Sequence, residues 1–228
     1  MTALLHKLGL SPTLTFHDVF SIDDPDLLAF VPRPAHALLL VFPVSKTYES
    51  FRRAEDASRP DYAAAGPAED VLWYRQTIGN ACGLIGLLHA ASNGAARKMV
   101  RPDSDLDTFI RQAVPLPPAE RAALIEQSDA LEAAHRAAAA GGDTAAPQAE
   151  DDVDLHYVCF VKSEETGRLW EMDGRRKGPL DRGQLAEGED VLSEAALQKG
   201  VRAFLKREEE AGGGDLRFSL ITLAEGFD

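Results

Sequence analysis

Hydrophobic and polar positions along the chain form continuous apolar runs and helix-like periods in turn. The run at 37–42, bounded by prolines on both sides, predicts a buried strand. Residues 80–92 are apolar almost all round, which predicts a central buried helix. Two strand-like runs, 155–162 and 168–172, are joined by a Ser-Glu-Glu-Thr-Gly turn and predict a hairpin. Further helices are predicted near 2–10, 24–30, 103–112, 118–138 and 191–210, with a final strand at 217–223.

A segment of small and acidic residues interrupts these patterns at 135–154, where the sequence reads HRAAAAGGDTAAPQAEDDVD. Such a segment cannot bury enough apolar surface to offset the entropy lost on ordering, which predicts a surface loop. From its composition it fits a domain linker as well as an active-site lid. Strands and helices mixed around one buried helix predict a single α/β domain, of the α+β kind, over residues 1–228.

The 228-residue chain is acidic, with 37 Asp and Glu against 24 Lys and Arg and a formal net charge of −13. This balance disfavours nucleic acid and anionic lipid as partners, because both attract basic surfaces. Charge alone leaves open a solubilising surface or the attraction of a basic partner. No apolar run reaches the roughly 20 residues of a membrane span, and the N-terminus lacks a secretory signal. Because the chain has only two cysteines, we expect no disulfide scaffold and a cytoplasmic protein, or one shared with the nucleus.

One of the two cysteines, Cys82, lies where the buried helix is predicted to begin. Asn80 is a good N-cap residue, and the apolar pattern that follows runs to an Asn-Gly stop. Free N–H groups and the helix dipole in the first turn favour a thiolate. Cys82 is therefore a candidate nucleophile. A nucleophile of this type needs a base, a group that orients the base, and an oxyanion donor.

Among the six histidines, His156 has the most suggestive position, since it opens a strand directly after the acidic segment. His89 lies about two turns beyond Cys82 on the same helix, too far for a direct hydrogen bond. Strand alternation places Cys159 on the face opposite His156, so we interpret Cys159 as a buried structural thiol. His156 taken alone is equally compatible with an ordinary histidine at the end of a strand.

Two further residues complete a candidate constellation. Asp173 ends the second strand of the predicted hairpin, so the hairpin brings it to the same open end as His156. There its carboxylate can accept from the imidazole and fix its tautomer, although Asp-Gly also simply makes a turn. Gln76 precedes Cys82 by six residues, and its amide can donate to an oxyanion together with the Cys82 N–H. In isolation Gln76 is an ordinary loop residue.

These residues resemble the catalytic motifs of the ubiquitin C-terminal hydrolases, a family of papain-like cysteine deubiquitinases, and especially its short single-domain members. The cysteine motif is QTIGNACGLIGLLHA, the histidine motif is VDLHYVCFV and the aspartate motif is LWEMDGRRKGPLDRG. The motifs occur in the family's order, and the resemblance extends over nearly the whole chain. The similar segments are residues 8–43, 76–90, 153–161, 169–183 and 216–224.

The resemblance implies catalytic roles for four residues: Cys82 as nucleophile, His156 as general base and acid, Asp173 as its orienter and Gln76 as oxyanion donor. It implies hydrolysis of esters, thioesters, amides or peptide bonds at the C-terminal glycine of ubiquitin, with a preference for small leaving groups. It also implies that the partner is ubiquitin or a ubiquitin-like modifier. Nothing in the sequence requires a cofactor, a metal or more than a monomer. Because the C-terminal tail of ubiquitin is basic, the acidic chain gains a plausible partner.

The family fold is a mainly antiparallel central sheet flanked by helices, of papain-like architecture and with a knotted backbone. The loop before the histidine motif resembles the family's crossover loop, which spans the active site and restricts leaving-group size. It corresponds to residues 136–153 here and favours the lid over the linker. Ubiquitin contacts carried over from the family fall on Asn80, Leu155, Leu216 and Phe218.

In one respect the chain departs from the family pattern. Short members carry a segment before the first helix that helps to hold ubiquitin, whereas this sequence begins almost inside that helix. We expect either a different start site or a weaker affinity for ubiquitin, which leaves open a ubiquitin-binding module without catalytic activity. A different Cys-His-Asp enzyme, such as an acyltransferase or a transglutaminase-like protein, is a second alternative, although no cofactor or acyl-CoA motif is visible.

Overall fold

A six-stranded sheet organises the computed structural model, which describes residues 1–140, 155–210 and 218–227. The strand order is β1-β6-β2-β3-β4-β5, and each neighbouring pair is antiparallel. This arrangement confirms the mainly antiparallel central sheet. The strands are β1 Leu14–Asp18, β2 Ala37–Pro43, β3 Leu155–Lys162, β4 Arg168–Met172, β5 Leu180–Gln184 and β6 Ser219–Glu225.

Helices cover both faces of the sheet. They are α1 Thr2–Leu8, α2 Pro25–Ala29, α3 Lys46–Ala57, α4 Cys82–Ser92, α5 Asp105–Ala113, α6 Pro118–Glu126, α7 Asp129–Ala140, α8 Glu194–Lys199 and α9 Val201–Glu210. The predicted buried helix is α4, and ten of its eleven residues are buried. None of the helices in the described part of the chain is long and apolar enough to cross a membrane.

The core has two layers because β2 and β3 send alternate side chains to opposite faces. Leu39, Cys159 and Val161 join the cluster that contains α4. Leu38 and Phe160 join a second cluster on the other face, packed against α8 and α9. The near-continuous apolar run of β2 is explained by this burial on both faces. Cys159 is fully buried in the α4 layer, as alternation from His156 predicts.

Two predicted helices are each divided in the structure. The pattern at 118–138 forms α6 and α7 because Ser128 breaks the run and its Oγ accepts from the Leu131 N–H at 3.3 Å. The pattern at 191–210 forms α8 and α9, with Gly200 between them. A Cβ at Gly200 would lie 3.0 Å from the Phe160 ring, so the close approach of the chain to the sheet favours glycine. Both divisions depend on tertiary packing as well as periodicity.

Part of the predicted crossover loop, 136–153, is helical, since residues 136–140 complete α7. Residues 141–154 lie outside the described part of the chain, and so does Leu216. The knotted backbone depends on the path of these segments and stays a prediction, as does the assignment of residues 1–228 to one domain.

Candidate active site

Cys82 is the first residue of α4 and is buried, with its Sγ 3.7 Å from the carbonyl oxygen of Leu155. A 3₁₀ turn at Gly79–Ala81 precedes it, and the N–H of Ala81 donates to Ile78. The N-cap position is therefore Ala81, and the assignment of Asn80 as N-cap is wrong. The 3₁₀ turn includes Asn80 and Ala81, which the sequence pattern places at the start of the α-helix. The thiol still lies at a helix N-terminus, where N–H groups are unpaired.

The β3–β4 hairpin brings His156 and Asp173 together. Nε2 of His156 lies 2.7 Å from Oδ1 of Asp173, and both side chains are buried. Burial alone would lower the pKa of His156, but the charge of Asp173, its hydrogen bond and the thiol of Cys82 raise it. Because Nε2 is engaged by Asp173, Nδ1 is the ring nitrogen that remains for the thiol. Nδ1 is buried and has no hydrogen-bond partner among the described residues.

Asp173 accepts three hydrogen bonds on its carboxylate. Besides His156, the hydroxyl of Tyr48 donates to Oδ2, and the backbone N–H of Arg175 donates to Oδ1 at 2.9 Å. Burial would raise the pKa of Asp173, but His156 and the hydrogen bonds from Tyr48 and Arg175 hold it well below its usual range. Asp173 is therefore an ionised carboxylate whose orientation is fixed from three sides.

Tyr48 is the principal site residue that the sequence reasoning missed. It lies in the first turn of α3, where Ser45 caps the helix and accepts from the Tyr48 N–H at 2.8 Å. Its ring packs edge-on against Phe42 at 4.9 Å and lies 5.8 Å from the ring of His156. A Ser N-cap signal before Tyr48 was available in the sequence, but no local pattern links α3 to the hairpin.

Behind Asp173 lies a buried arginine that was also missed. Arg176 pairs with Glu55 at 2.9 Å, Asp56 at 3.3 Å and Glu171 at 3.4 Å, and its Nε lies 3.9 Å from Oδ2 of Asp173. A buried guanidinium is tolerated only when carboxylates compensate its charge. This cluster supports the strand end that carries Asp173.

Gln76 connects the loop that follows Asp173 with the turn that precedes Cys82, through hydrogen bonds to backbone carbonyls. The backbone N–H of Gln76 donates to the carbonyl of Gly174 at 2.9 Å, and a Cβ on Gly174 would lie 3.0 Å from Cβ of Gln76. A side chain at position 174 would require its neighbours to shift, so this close approach favours glycine. The side-chain Nε2 donates to the carbonyls of Ile78 at 3.1 Å and Gly79 at 2.8 Å. In this conformation the amide is occupied by the turn that precedes Cys82.

The remaining sequence candidates separate into packing and surface positions. His89 is fully buried, accepts from the Tyr74 N–H at 2.9 Å and stacks on the Tyr74 ring. Burial lowers its pKa to about 3, so it is a packing residue. Leu155 is 44% exposed and Phe218 is 37% exposed, as expected of contact positions. Within the described ranges no group of three His, Cys, Asp or Glu side chains could hold a metal ion.

Known proteins resemble this chain over most of its length. The family model described as ubiquitin carboxyl-terminal hydrolase, family 1, matches residues 1–206. The chain is 35% identical to ubiquitin carboxyl-terminal hydrolase 3 of Arabidopsis thaliana, over 99% of this chain and 90% of that one. It is 38% identical to a ubiquitin carboxyl-terminal hydrolase of Aplysia californica, over 90% of each chain.

A solved structure shares the fold at lower sequence identity. It is the Trichinella spiralis UCH37 catalytic domain bound to ubiquitin vinyl methyl ester, with a TM-score of 0.72 and 19% identity. The match covers 99% of this chain and 91% of that one. Because the family model and the relatives match almost the whole chain, this protein belongs to the ubiquitin carboxyl-terminal hydrolases, a family of cysteine-type deubiquitinases.

Proposed function

We propose that this protein hydrolyses ester, thioester, amide and peptide bonds at the C-terminal glycine of ubiquitin, with Cys82 as the nucleophile. The observation that carries the proposal is the buried His156–Asp173 pair, 2.7 Å between Nε2 and Oδ1, next to a thiol at a helix N-terminus. A base oriented by a carboxylate and facing a nucleophile is the arrangement that acyl transfer requires.

In the first step the Cys82 thiolate attacks the glycine carbonyl carbon and forms a carbon–sulfur bond. His156 holds the thiol proton on Nδ1 and transfers it to the leaving nitrogen, oxygen or sulfur as the scissile bond breaks. Water then gives a proton to Nδ1 of His156 and attacks the thioester carbon, and the carbon–sulfur bond to Cys82 breaks. Hydrolysis releases the glycine carboxylate and restores Cys82.

Asp173 acts through the imidazole. Its hydrogen bond at Nε2 holds the tautomer in which Nδ1 accepts the proton of Cys82. The ionised carboxylate also stabilises the imidazolium that forms when His156 carries the extra proton. The raised pKa of His156 and the lowered pKa of Asp173 agree with these roles.

Oxyanion stabilisation is assigned to the N–H of Cys82 and the side-chain amide of Gln76. Gln76 has to exchange its bonds to Ile78 and Gly79 for a bond to the oxyanion when substrate binds. The buried Oε1 of Gln76 has no partner among the described residues, so the present arrangement leaves the amide incompletely satisfied. A donor of this kind contributes roughly 2.7–4 kcal/mol to transition-state stabilisation.

Ubiquitin as the substrate is supported by family membership and by charge. The basic C-terminal tail of ubiquitin is complementary to a chain of net charge −13. We assign contacts with ubiquitin to Asn80, Leu155, Leu216 and Phe218 by resemblance. The exposure of Leu155 and Phe218 agrees with this role.

The preference for small leaving groups is supported by the position of the chain on either side of residues 141–154. His135 of α7 lines a cavity of about 280 Å³ together with Ile78 and Ala81, directly before Cys82. Leu155, on the other side of the segment, has its carbonyl 3.7 Å from Sγ of Cys82. A series of ubiquitin adducts of increasing size tests the preference, and equal kcat/KM for the smallest and the largest adduct would contradict it.

Turnover of a fluorogenic amide at the C terminus of ubiquitin tests the activity itself. Wild-type protein should release the fluorophore, and Cys82→Ala should release none. Cys159→Ala is the matched control, because it removes the other buried thiol, from the face opposite His156. It should lower the free energy of unfolding and retain turnover. Full activity of Cys82→Ala would refute the mechanism.

A ubiquitin carrying a C-terminal electrophile separates the enzyme from a module that only binds ubiquitin. We expect one covalent adduct on the wild-type protein, located at Cys82 by peptide mass analysis. The same experiment on Cys159→Ala should give the same adduct. Binding of the electrophilic ubiquitin without any covalent adduct would instead support the non-catalytic alternative.

A further inference from the structure

A cleft rich in basic residues opens beside Gln76 and Gly174. Its volume is about 380 Å³, and six of its eleven lining residues are Arg or Lys while two are Asp. This composition is unusual in a chain with a net charge of −13. The basic residues that line the cleft are Arg52, Arg53, Arg75, Arg175, Arg176 and Lys177.

Three of these six cations have no carboxylate of their own within the described part of the chain. Three guanidiniums share the carboxylate of Glu49: Arg52 at 2.8 Å, Arg53 at 3.5 Å and Arg175 at 4.0 Å. Burial would raise the pKa of Glu49, but its hydrogen bond from Arg52 and the charges of the three arginines lower it. One carboxylate therefore compensates three cations.

Lys177 adds a further positive charge. Its Nζ donates to the backbone carbonyl of Arg59 at 2.9 Å, and among the described residues no carboxylate forms an ion pair with it. Arg75 pairs with Asp61 at 2.7 Å. Arg176 differs, because Glu55, Asp56 and Glu171 enclose it. The excess positive charge of the cleft therefore comes from the Glu49 group and Lys177.

The cleft lies directly next to the reacting groups. Gln76, the assigned oxyanion donor, is one of its walls, and Gly174 and Arg175 follow Asp173 in the chain. The guanidinium of Arg52 is held in place, since it donates to the backbone carbonyl of Arg175 at 2.8 Å. A charged group bound here would contact Gln76, the residue assigned to the oxyanion, and the loop that follows Asp173.

The two sides of the scissile bond differ in the charge they can bring to this cleft. On the acyl side is the basic C-terminal tail of ubiquitin, which a cationic cleft repels. The leaving group is the part of the substrate that can carry negative charge. Partly buried arginines with a fixed fork geometry are well suited to bind a carboxylate.

We propose that the cationic cleft is the leaving-group subsite and that it favours leaving groups with acidic side chains next to the scissile bond. This inference rests on the proposed function. It assigns a specificity that neither the nucleophile nor the ubiquitin contacts supply. The chemical class is a short peptide, or a peptide-like adduct, that carries one or two carboxylates directly after the glycine.

Three ubiquitin–peptide conjugates of equal length test the proposal, with the first two leaving-group residues acidic, neutral amide, or basic. We expect kcat/KM to be roughly three- to tenfold higher for the acidic peptide than for its amide counterpart, the ratio that a few partly exposed ion pairs supply. The basic peptide should be the poorest substrate. At about 1 M salt, where the Debye length is about 3 Å, the ratio should approach one.

Single substitutions assign the effect to the cleft. Arg53→Gln, at a side chain that is 76% exposed, and Lys177→Gln should each reduce the acidic-to-amide ratio. Arg111→Gln is the matched control, because it removes one exposed arginine outside the cleft and should leave both the ratio and the turnover unchanged. A reduced ratio in Arg111→Gln as well would overturn the assignment, because it would indicate a general charge effect.

The fluorogenic ubiquitin amide separates this proposal from the function on which it rests. If that amide is hydrolysed while the acidic and amide peptides react equally, the subsite is refuted and the activity stands. If the amide and all three conjugates remain intact, both the activity and the subsite are refuted.

Discussion

The hydroxyl of Tyr48 donates a hydrogen bond to Oδ2 of Asp173, across 125 positions of sequence. The other carboxylate oxygen of Asp173 accepts from His156, so the tyrosine and the histidine hold the carboxylate from opposite sides. Burial and the neighbouring Asp173 raise the pKa of Tyr48 far above its ordinary value, so the hydroxyl keeps its proton and remains a donor. Tyr48 is therefore a positioning residue for the base.

Tyr48→Phe should reduce kcat by roughly tenfold, because a hydrogen bond to a charged group contributes about 1.5–3 kcal/mol and part of that energy orients Asp173. KM should change little. With one donor lost, the pKa of Asp173 should rise. The pKa of His156, which depends on that carboxylate, should shift with it, so the kcat/KM profile against pH should change. Turnover of the fluorogenic ubiquitin amide across the pH range measures both effects.

Tyr62→Phe is the matched control for this substitution. The hydroxyl of Tyr62 donates to Glu69 at 2.9 Å. This is also a tyrosine–carboxylate hydrogen bond, but it lies outside the catalytic triad of Cys82, His156 and Asp173. Both variants should lose stability in urea denaturation, and only Tyr48→Phe should change the pH profile. Identical kinetics in the two variants would reduce Tyr48 to a structural residue.

Asp173→Asn should reduce kcat by several orders of magnitude. The corresponding change in a Ser-His-Asp triad costs about 10⁴-fold, because an amide favours the wrong imidazole tautomer. Here an asparagine amide facing Nε2 would favour the tautomer that carries the proton on Nδ1, where His156 needs to accept one. Single-turnover measurements with the fluorogenic amide isolate this step from product release.

Asp70→Asn provides the comparison for Asp173→Asn. Asp70 also accepts three hydrogen bonds, all of them from side chains (Ser163, Thr166 and Trp170), but it lies away from the Cys82–His156–Asp173 triad. The variant should be destabilised and should retain kcat. If Asp173→Asn turned over at the wild-type rate, Asp173 would be a turn residue and the triad assignment would be wrong.

The sequence predicts the parts of the site that depend on local pattern. Strand periodicity gives β3 and β4 with the observed bounds, 155–162 and 168–172. From those two strands and their turn, the proximity of His156 and Asp173 follows without any long-range information. The position of Cys82 at a helix start also follows from the change from loop to apolar pattern.

Long-range packing explains what the sequence could not predict. Tyr48 reaches Asp173 only because α3 folds back over the hairpin, and α3 is a polar helix with few buried residues. The edge strands β1 and β5 have five residues each and are only partly buried, so their apolar pattern is weak. The cap at Ala81 was missed because a 3₁₀ turn has no distinct composition.

Gln76→Ala should reduce kcat by roughly 10²–10³ with little change in KM, because an oxyanion donor acts on the transition state. Gln184→Ala is a close control, because Nε2 of Gln184 also donates to two backbone carbonyls, Thr166 at 2.8 Å and Leu185 at 3.2 Å. Its loss should affect stability alone. An equally small kinetic effect in both variants would assign Gln76 a purely structural role.

The free energy of unfolding should depend on pH in a way that reports the titration of His89. Its pKa is about 3 in the folded protein because burial disfavours the charged form, whereas an unfolded histidine titrates near 6.5. Between these values the unfolded chain binds a proton that the folded protein does not. The free energy of unfolding should therefore fall as the pH drops below about 6.5, by up to about 1.4 kcal/mol per unit from this group.

His156 contributes to stability in a different pH range, so the effects of the two histidines on the free energy of unfolding can be measured separately. Its pKa is raised on folding, so its contribution is complete below about 6.5 and is lost as the pH rises through the folded value.

His89→Gln keeps an acceptor for the Tyr74 N–H and removes the titrating group. Urea denaturation between about pH 6.5 and 4.5 should then give a flatter dependence than wild type. An unchanged slope in His89→Gln would show that His89 does not contribute to it and that the protons taken up on unfolding go to other groups that the folded protein keeps unprotonated.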